Sequence, residues 1–241
     1  MLQAIKWLVL YVVVQFGLLI GVTAIYIGIG NEPNLISDFI SEFQIYLVII
    51  LGLIFIPLLL IQYKKFNVKE SKYKKFYLFI IFSMFLSIFY NIFGYYFDKH
   101  ILGSNLYGEN SNVLLTIIST VLIGPIIEEL MFRGYIYNSL KKEYSIKKSC
   151  IITSILFALC HFNFIQMIYT FLFSLILINV FEKYKSIKYP IFMHMVSNLT
   201  TTFITMFIIK DYLVINIILF FISFIIMYLI YKKCKNDDII E

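Results

Sequence analysis

Arginine is all but missing from this 241-residue chain: Arg133 stands alone, and the other 19 basic residues are lysine. Charge of any kind is scarce, at 14% of residues, where ordinary soluble domains carry roughly 25%. The three cysteines, Cys150, Cys160 and Cys234, form no CxxC or other metal-spaced pattern. Their odd number argues against a disulfide framework. There is no long linker, low-complexity tract or internal repeat, so residues 1–241 read as a single domain.

What the chain does have is apolar length. Hydrophobic residues make up 61%, more than one core of this size can hide, and apolar runs of about 20 residues recur throughout, enough to cross roughly 30 Å of hydrocarbon. The run from Ile5 to Ile29 exceeds the core of a signal peptide and lacks a small-x-small cleavage site, so it reads as an uncleaved helix. The pattern predicts an all-α, polytopic membrane bundle of about eight transmembrane helices, at about 5–29, 43–62, 76–97, 113–138, 149–164, 166–182, 189–209 and 212–231. Heavy use of Ile, Lys, Asn, Tyr and Phe fits an AT-rich genome, and with it a multi-pass protein of a bacterial plasma membrane.

The lysines test that count, because they played no part in choosing the apolar runs. Threading the eight helices puts 17 lysines on one side, including those of 64–75 and Lys141, Lys142, Lys147 and Lys148, and only Lys99 and Lys210 on the other. Positive residues mark cytoplasmic loops, so both termini are expected in the cytoplasm. The same clustering explains the net charge of +6 without nucleic acid as a partner. The bilayer is the expected surrounding, with anionic lipid a second reading of the 64–75 lysines.

A charge inside the membrane is costly and tends to mark function. Away from helix ends the expected spans contain Glu128, Glu129 and Arg133 on the fourth helix, His161 on the fifth and His194 on the seventh. Glu129 and Arg133, Phe157 and His161, and His194 and Asn198 are each spaced i to i+4, on one helical face. Glu129 and Arg133 can therefore pair, and a guanidinium supplies the fixed fork that lysine lacks. Glu128 lies about 100° round the helix, unpaired by that bridge, and is a candidate general base. Counted at about 1.5 Å per residue from the lysine-rich ends, Glu128 and His161 lie roughly 16–18 Å deep and His194 and Asn198 roughly 8–14 Å. Just upstream, Pro125 withholds its amide from the carbonyl of Val121.

The run Gly124-Pro125-Ile126-Ile127-Glu128-Glu129-Leu130-Met131-Phe132-Arg133-Gly134 resembles the EExxxR motif of the CPBP (CAAX protease and bacteriocin-processing, Abi) family of intramembrane proteases. Phe157 to His161 resembles its FxxxH motif and His194 to Asn198 its HxxxN motif, in the family's order. The resemblance implies a catalytic core at about 113–209, in a bundle of about eight helices around a polar cavity. It implies that Glu128, with His161, activates the water that attacks a peptide carbonyl, that His194 and Asn198 stabilise the oxyanion, and that Glu129, Arg133 and Phe157 organise the site. The substrate would be a membrane-associated peptide or protein, and the setting peptide processing, bacteriocin processing or self-immunity. Relatives often carry a glycine in the helix before HxxxN; residues 172–180 here have none.

Other readings remain beside it. Glu129 with Arg133 is also what a structural ion pair looks like, and buried Glu and His residues also line the proton or ion path of a transporter. A non-enzymatic immunity or scaffold protein is the rival from another class. Within the enzyme reading two mechanisms are open. Glu128, His161 and His194 are the ligand types of a His₂Glu zinc site, with Glu129 then the one nearby carboxylate left as base. In the metal-free scheme, favoured because it gives Asn198 a role, Glu128 and His161 hold the water. No HExxH helix and no GxGD aspartate in an apolar run offers another protease logic. Cys160 and His161, adjacent on a helix, diverge by about 100° and make a poor nucleophile-base pair. Ser104 and His100 are read as residues of outer loops.

Overall fold

The computed structural model describes residues 2–29, 36–69, 75–97, 112–161, 164–207 and 212–237. Lys99, His100, Ser104, Lys210 and the lysines at 72 and 74 lie outside the described residues. The expected all-helical membrane bundle is what forms: α1 (Leu2–Gly28), α2 (Ile36–Lys64), α3 (Tyr77–Phe97), α4 (Val113–Leu140), α5 (Ile146–Leu159), α6 (Phe164–Tyr184), α7 (Lys188–Phe207) and α8 (Leu213–Asp237). No strand occurs among the described residues.

Six of these helices are long and apolar enough to cross a membrane, not eight. The two others are α5 and α7. At 14 residues, α5 reaches only about 21 Å, short of the roughly 30 Å needed. On α7 the apolar character is diluted by Lys188, His194, Ser197, Asn198 and three consecutive threonines, 200–202.

The fourth helix is the hub. It is packed by α1, α2, α5 and α7, while α3 packs on α7 and α8 and α6 packs on α5 and α7. A core of Leu47, Leu51, Phe55 and Leu59 from α2 meets Ile127, Leu130, Met131 and Ile136 from α4. Close approach there needs Gly52, because a Cβ at that position would lie 2.2 Å from Cγ2 of Ile123. Outward faces stay apolar, as on α8, where Phe221, Phe224, Ile225 and Tyr228 are exposed. A face of that composition has hydrocarbon as its solvent.

Two features of α4 and α5 depart from the sequence reading. Residues Ile117–Ile123 and Leu130–Tyr137 wind as π turns either side of the α-helical Gly124–Glu129. The Gly124 amide accordingly donates to Ser119, five residues back. In that register the carbonyl left without an amide by Pro125 belongs to Thr120 rather than Val121. And α5 stops at Leu159, not at 164: Cys160 and His161 donate their amides to the carbonyls of Phe157 and Ala158 at 3.3 and 3.0 Å, tightening the last turn. His161 therefore sits in the turn that follows the helix.

Candidate active site

The π-turn helix α4 presents its two glutamates to different surroundings. Glu129 points into the bundle, where its side chain is 0% exposed, while the Glu128 side chain is 35% exposed. Oε1 of Glu129 is a shared acceptor. It takes Nη1 of Arg133 at 2.8 Å and Nδ1 of His194, from α7, also at 2.8 Å. The second nitrogen of the Arg133 fork, Nη2, donates to the hydroxyl of Ser174 at 2.9 Å and to its carbonyl at 3.3 Å, which anchors α6. The guanidinium carbon lies 4.5 Å from the ring centroid of Phe157 on α5. Four helices are thus tied at one buried cation, in the bidentate manner a guanidinium allows.

The fixed contacts also set the histidine tautomers. A carboxylate oxygen can only accept, so Nδ1 of His194 carries the proton and Nε2 of the neutral ring holds a lone pair. That nitrogen lies 3.9 Å from Oε2 of Glu128. Oε2 is buried and has no hydrogen-bond partner among the described residues, so the open side of the carboxylate is that of Oε1. Tyr11 on α1 and Cys160 lie within electrostatic reach of Glu128. His161 follows the same logic: Nδ1 lies 2.9 Å from the Phe157 carbonyl, which can only accept, and its Nε2 is left as the basic nitrogen. Its ring does not touch Glu128. It meets the Phe157 ring at 5.0 Å, tilted by 57°, and Phe157 in turn meets the His194 ring at 5.9 Å.

Residues 110–200 match the family model described as Rce1-like, type II CAAX prenyl endopeptidase Rce1-like. This segment belongs to the CAAX-protease family. That family is one of prenyl endopeptidases, and no curated protein and no solved structure matches the chain. The CAAX-protease segment is the one that contains Glu128, Glu129, Arg133, Phe157, His161, His194 and Asn198.

Glu128, Glu129, Arg133, Phe157 and His194 come together in the fold; His161 joins them only through the Phe157 ring, and Asn198 bonds outside the group. Its Nδ2 donates to the main-chain carbonyl of Thr120 at 2.8 Å. The zinc reading fits poorly. Lone pairs on Nε2 of both histidines, with Glu129 behind one of them, are what a metal would take. Yet no three His, Cys, Asp or Glu side chains converge on a common point among the described residues.

Sequence reasoning passed over the neutral polar residues. Ser174 was not singled out, although it completes the Arg133 fork. Nor was a buried network in which the Ser87 hydroxyl on α3 meets that of Ser197 at 2.7 Å, Tyr169 on α6 reaches Ser197 at 2.8 Å, and Asn91 donates to Thr201 at 2.9 Å. A signal was there to find: Ser87 and Asn91, and Ser197 and Thr201, are i to i+4 pairs on two otherwise apolar helices.

Proposed function

We propose that this CAAX-type protease hydrolyses a peptide bond of a membrane-associated peptide or protein without a metal, with Glu128 as general base and the Glu129–His194 pair as proton relay. The observation behind this reading is the approach of Nε2 of His194 to Oε2 of Glu128 at 3.9 Å, with Glu129 holding the far side of the imidazole. Glu128 takes a proton from water on its open side as the water oxygen bonds to the carbonyl carbon. His194, in contact with that carboxyl once the site closes, passes the proton to the departing amine. Glu129 stabilises the imidazolium in between, as an orienting carboxylate does in a triad. Separations longer than a hydrogen bond are usual before substrate closes such a site.

A role for His161 in the water step, as the resemblance implies, requires it to move past Phe157. Its basic Nε2 supports it better as a second proton acceptor at the mouth of the site than as an oxyanion donor. The biological setting we assign is a bacterial plasma membrane, where the substrate is a processed peptide, including one of bacteriocin type, or a peptide whose cleavage confers self-immunity.

The reaction is tested with purified protein in proteoliposomes and a fluorogenic farnesylated CAAX peptide. Glu128→Gln keeps the shape and removes the base, so cleavage should fall by about 10²–10⁴. Near-normal cleavage by that variant would remove Glu128 from the water step. Exhaustive chelation should leave the rate unchanged; stoichiometric zinc, with activity lost on its removal and regained on its return, would overturn the metal-free scheme.

A further inference from the structure

In lipid a main-chain carbonyl has no water to turn to, and an unsatisfied one is expensive. Thr120 presents such a carbonyl. Around it α4 winds as a π turn, in which the Gly124 amide donates to Ser119, five residues back. The next amide in the same register is that of residue 125, and it would serve Thr120. Proline has no N–H to give. The vacancy is filled from another helix, since Nδ2 of Asn198 on α7 donates to the Thr120 carbonyl at 2.8 Å.

We infer that Asn198 is a positioning residue, which docks α7 onto the break that Pro125 makes in α4 and so holds His194 against the two glutamates. This rests on the peptidase reading above but assigns Asn198 a partner in the protein instead of the oxyanion. His194 lies one helical turn before Asn198 on the same face, so a shift of α7 at Asn198 moves the imidazole directly. Its Nδ1 contact with Glu129 is 2.8 Å and its Nε2 lies 3.9 Å from Glu128, distances that a displacement of an ångström would undo. A second side of α7, about 100° round the helix, is held independently. Ser197 is bound there by Ser87 and Tyr169. With Asn198 on α4 and Ser197 on α3 and α6, α7 is clamped from two directions, and only the Asn198 clamp depends on Pro125.

A double-mutant cycle decides between the two roles, because an alanine at 125 supplies the amide that proline withholds. Asn198→Ala, Pro125→Ala and the double variant are compared for cleavage of the farnesylated CAAX peptide and for thermal unfolding in detergent. Asn198→Ala should lower kcat per folded molecule by about tenfold to a hundredfold, as loss of a hydrogen bond that leaves a main-chain carbonyl unsatisfied allows, with KM little changed. Adding Pro125→Ala should then recover most of that loss and raise the unfolding temperature above that of Asn198→Ala. Should Asn198→Ala alone fail to accumulate, recovery of folded protein in the double variant is the same result. A double variant no faster and no more stable than Asn198→Ala would overturn the inference and return Asn198 to the substrate. The unfolding measurement needs no substrate, so a parent protein that leaves the peptide intact would refute the peptidase reading while the cycle still tests the clamp.

Discussion

Replacing Arg133 by lysine keeps the charge and discards the fork, and the structure says what that should cost. A single Nζ can follow Nη1 to Glu129 but cannot also reach Ser174, whose hydroxyl and carbonyl take Nη2 at 2.9 and 3.3 Å. Hydrogen bonds to a charged group are worth about 1.5–3 kcal/mol in soluble proteins, while side-chain bonds between membrane helices average nearer 0.6 kcal/mol. The guanidinium also loses its place over the Phe157 ring, worth about 0.5–2 kcal/mol. Taken together, Arg133→Lys should destabilise the protein by roughly 2–4 kcal/mol. Arg133→Met should cost more, because it strands the Glu129 carboxylate in a dry interior, about 3–5 kcal/mol for breaking a buried pair. Thermal unfolding in detergent, with yield of monodisperse protein as a second measure, reads both. If Arg133→Lys unfolds at the parent temperature, the four-helix tie is not what holds this site together.

Two further outcomes follow from the same geometry. Glu129→Gln strands the buried Arg133 guanidinium, so it should lower the unfolding temperature and, per folded molecule, lose about tenfold to a hundredfold in cleavage rate, the range seen when an orienting partner of an imidazole is removed; full activity per folded molecule would detach Glu129 from the relay. Single cysteines placed in the 64–69 and 141–148 segments should resist a membrane-impermeant maleimide added to intact cells and react after permeabilisation, and labelling of either segment in intact cells would reverse the assigned orientation.

The number and order of the helices were legible in the sequence because each apolar run had to satisfy its backbone alone in hydrocarbon, which leaves a helix as the one open-chain solution. Their ends were less so. The end of α5 at Leu159 comes from backbone amides closing on Phe157 and Ala158, which no apolar periodicity reports. The Glu129–Arg133 pair could be foreseen because it is local. The bond from His194 to the same oxygen could not, since it joins residues 65 apart in the chain and depends on how α7 rotates against α4. The bond that Asn198 makes was hidden for a related reason. Its partner is a main-chain carbonyl, and which carbonyl lacks an amide depends on π winding that the i to i+4 spacing does not register.

That winding bears on the choice between the two adjacent glutamates. Wide turns on either side of Gly124–Glu129 are a recurrent mark of functional sites in helices, and here they frame two carboxylates that a step of about 100° sends in different directions. Glu129 receives a guanidinium and an imidazole on one oxygen and has no open side. Its second oxygen, Oε2, is buried and meets no hydrogen-bond donor among the described residues, so no water reaches the carboxylate from that side. Glu128 has neither partner within hydrogen-bond distance and is the more exposed of the two. The division of labour does not require the two residues to differ chemically; it requires only that the helix turn between them and that one arginine and one histidine reach the inner side.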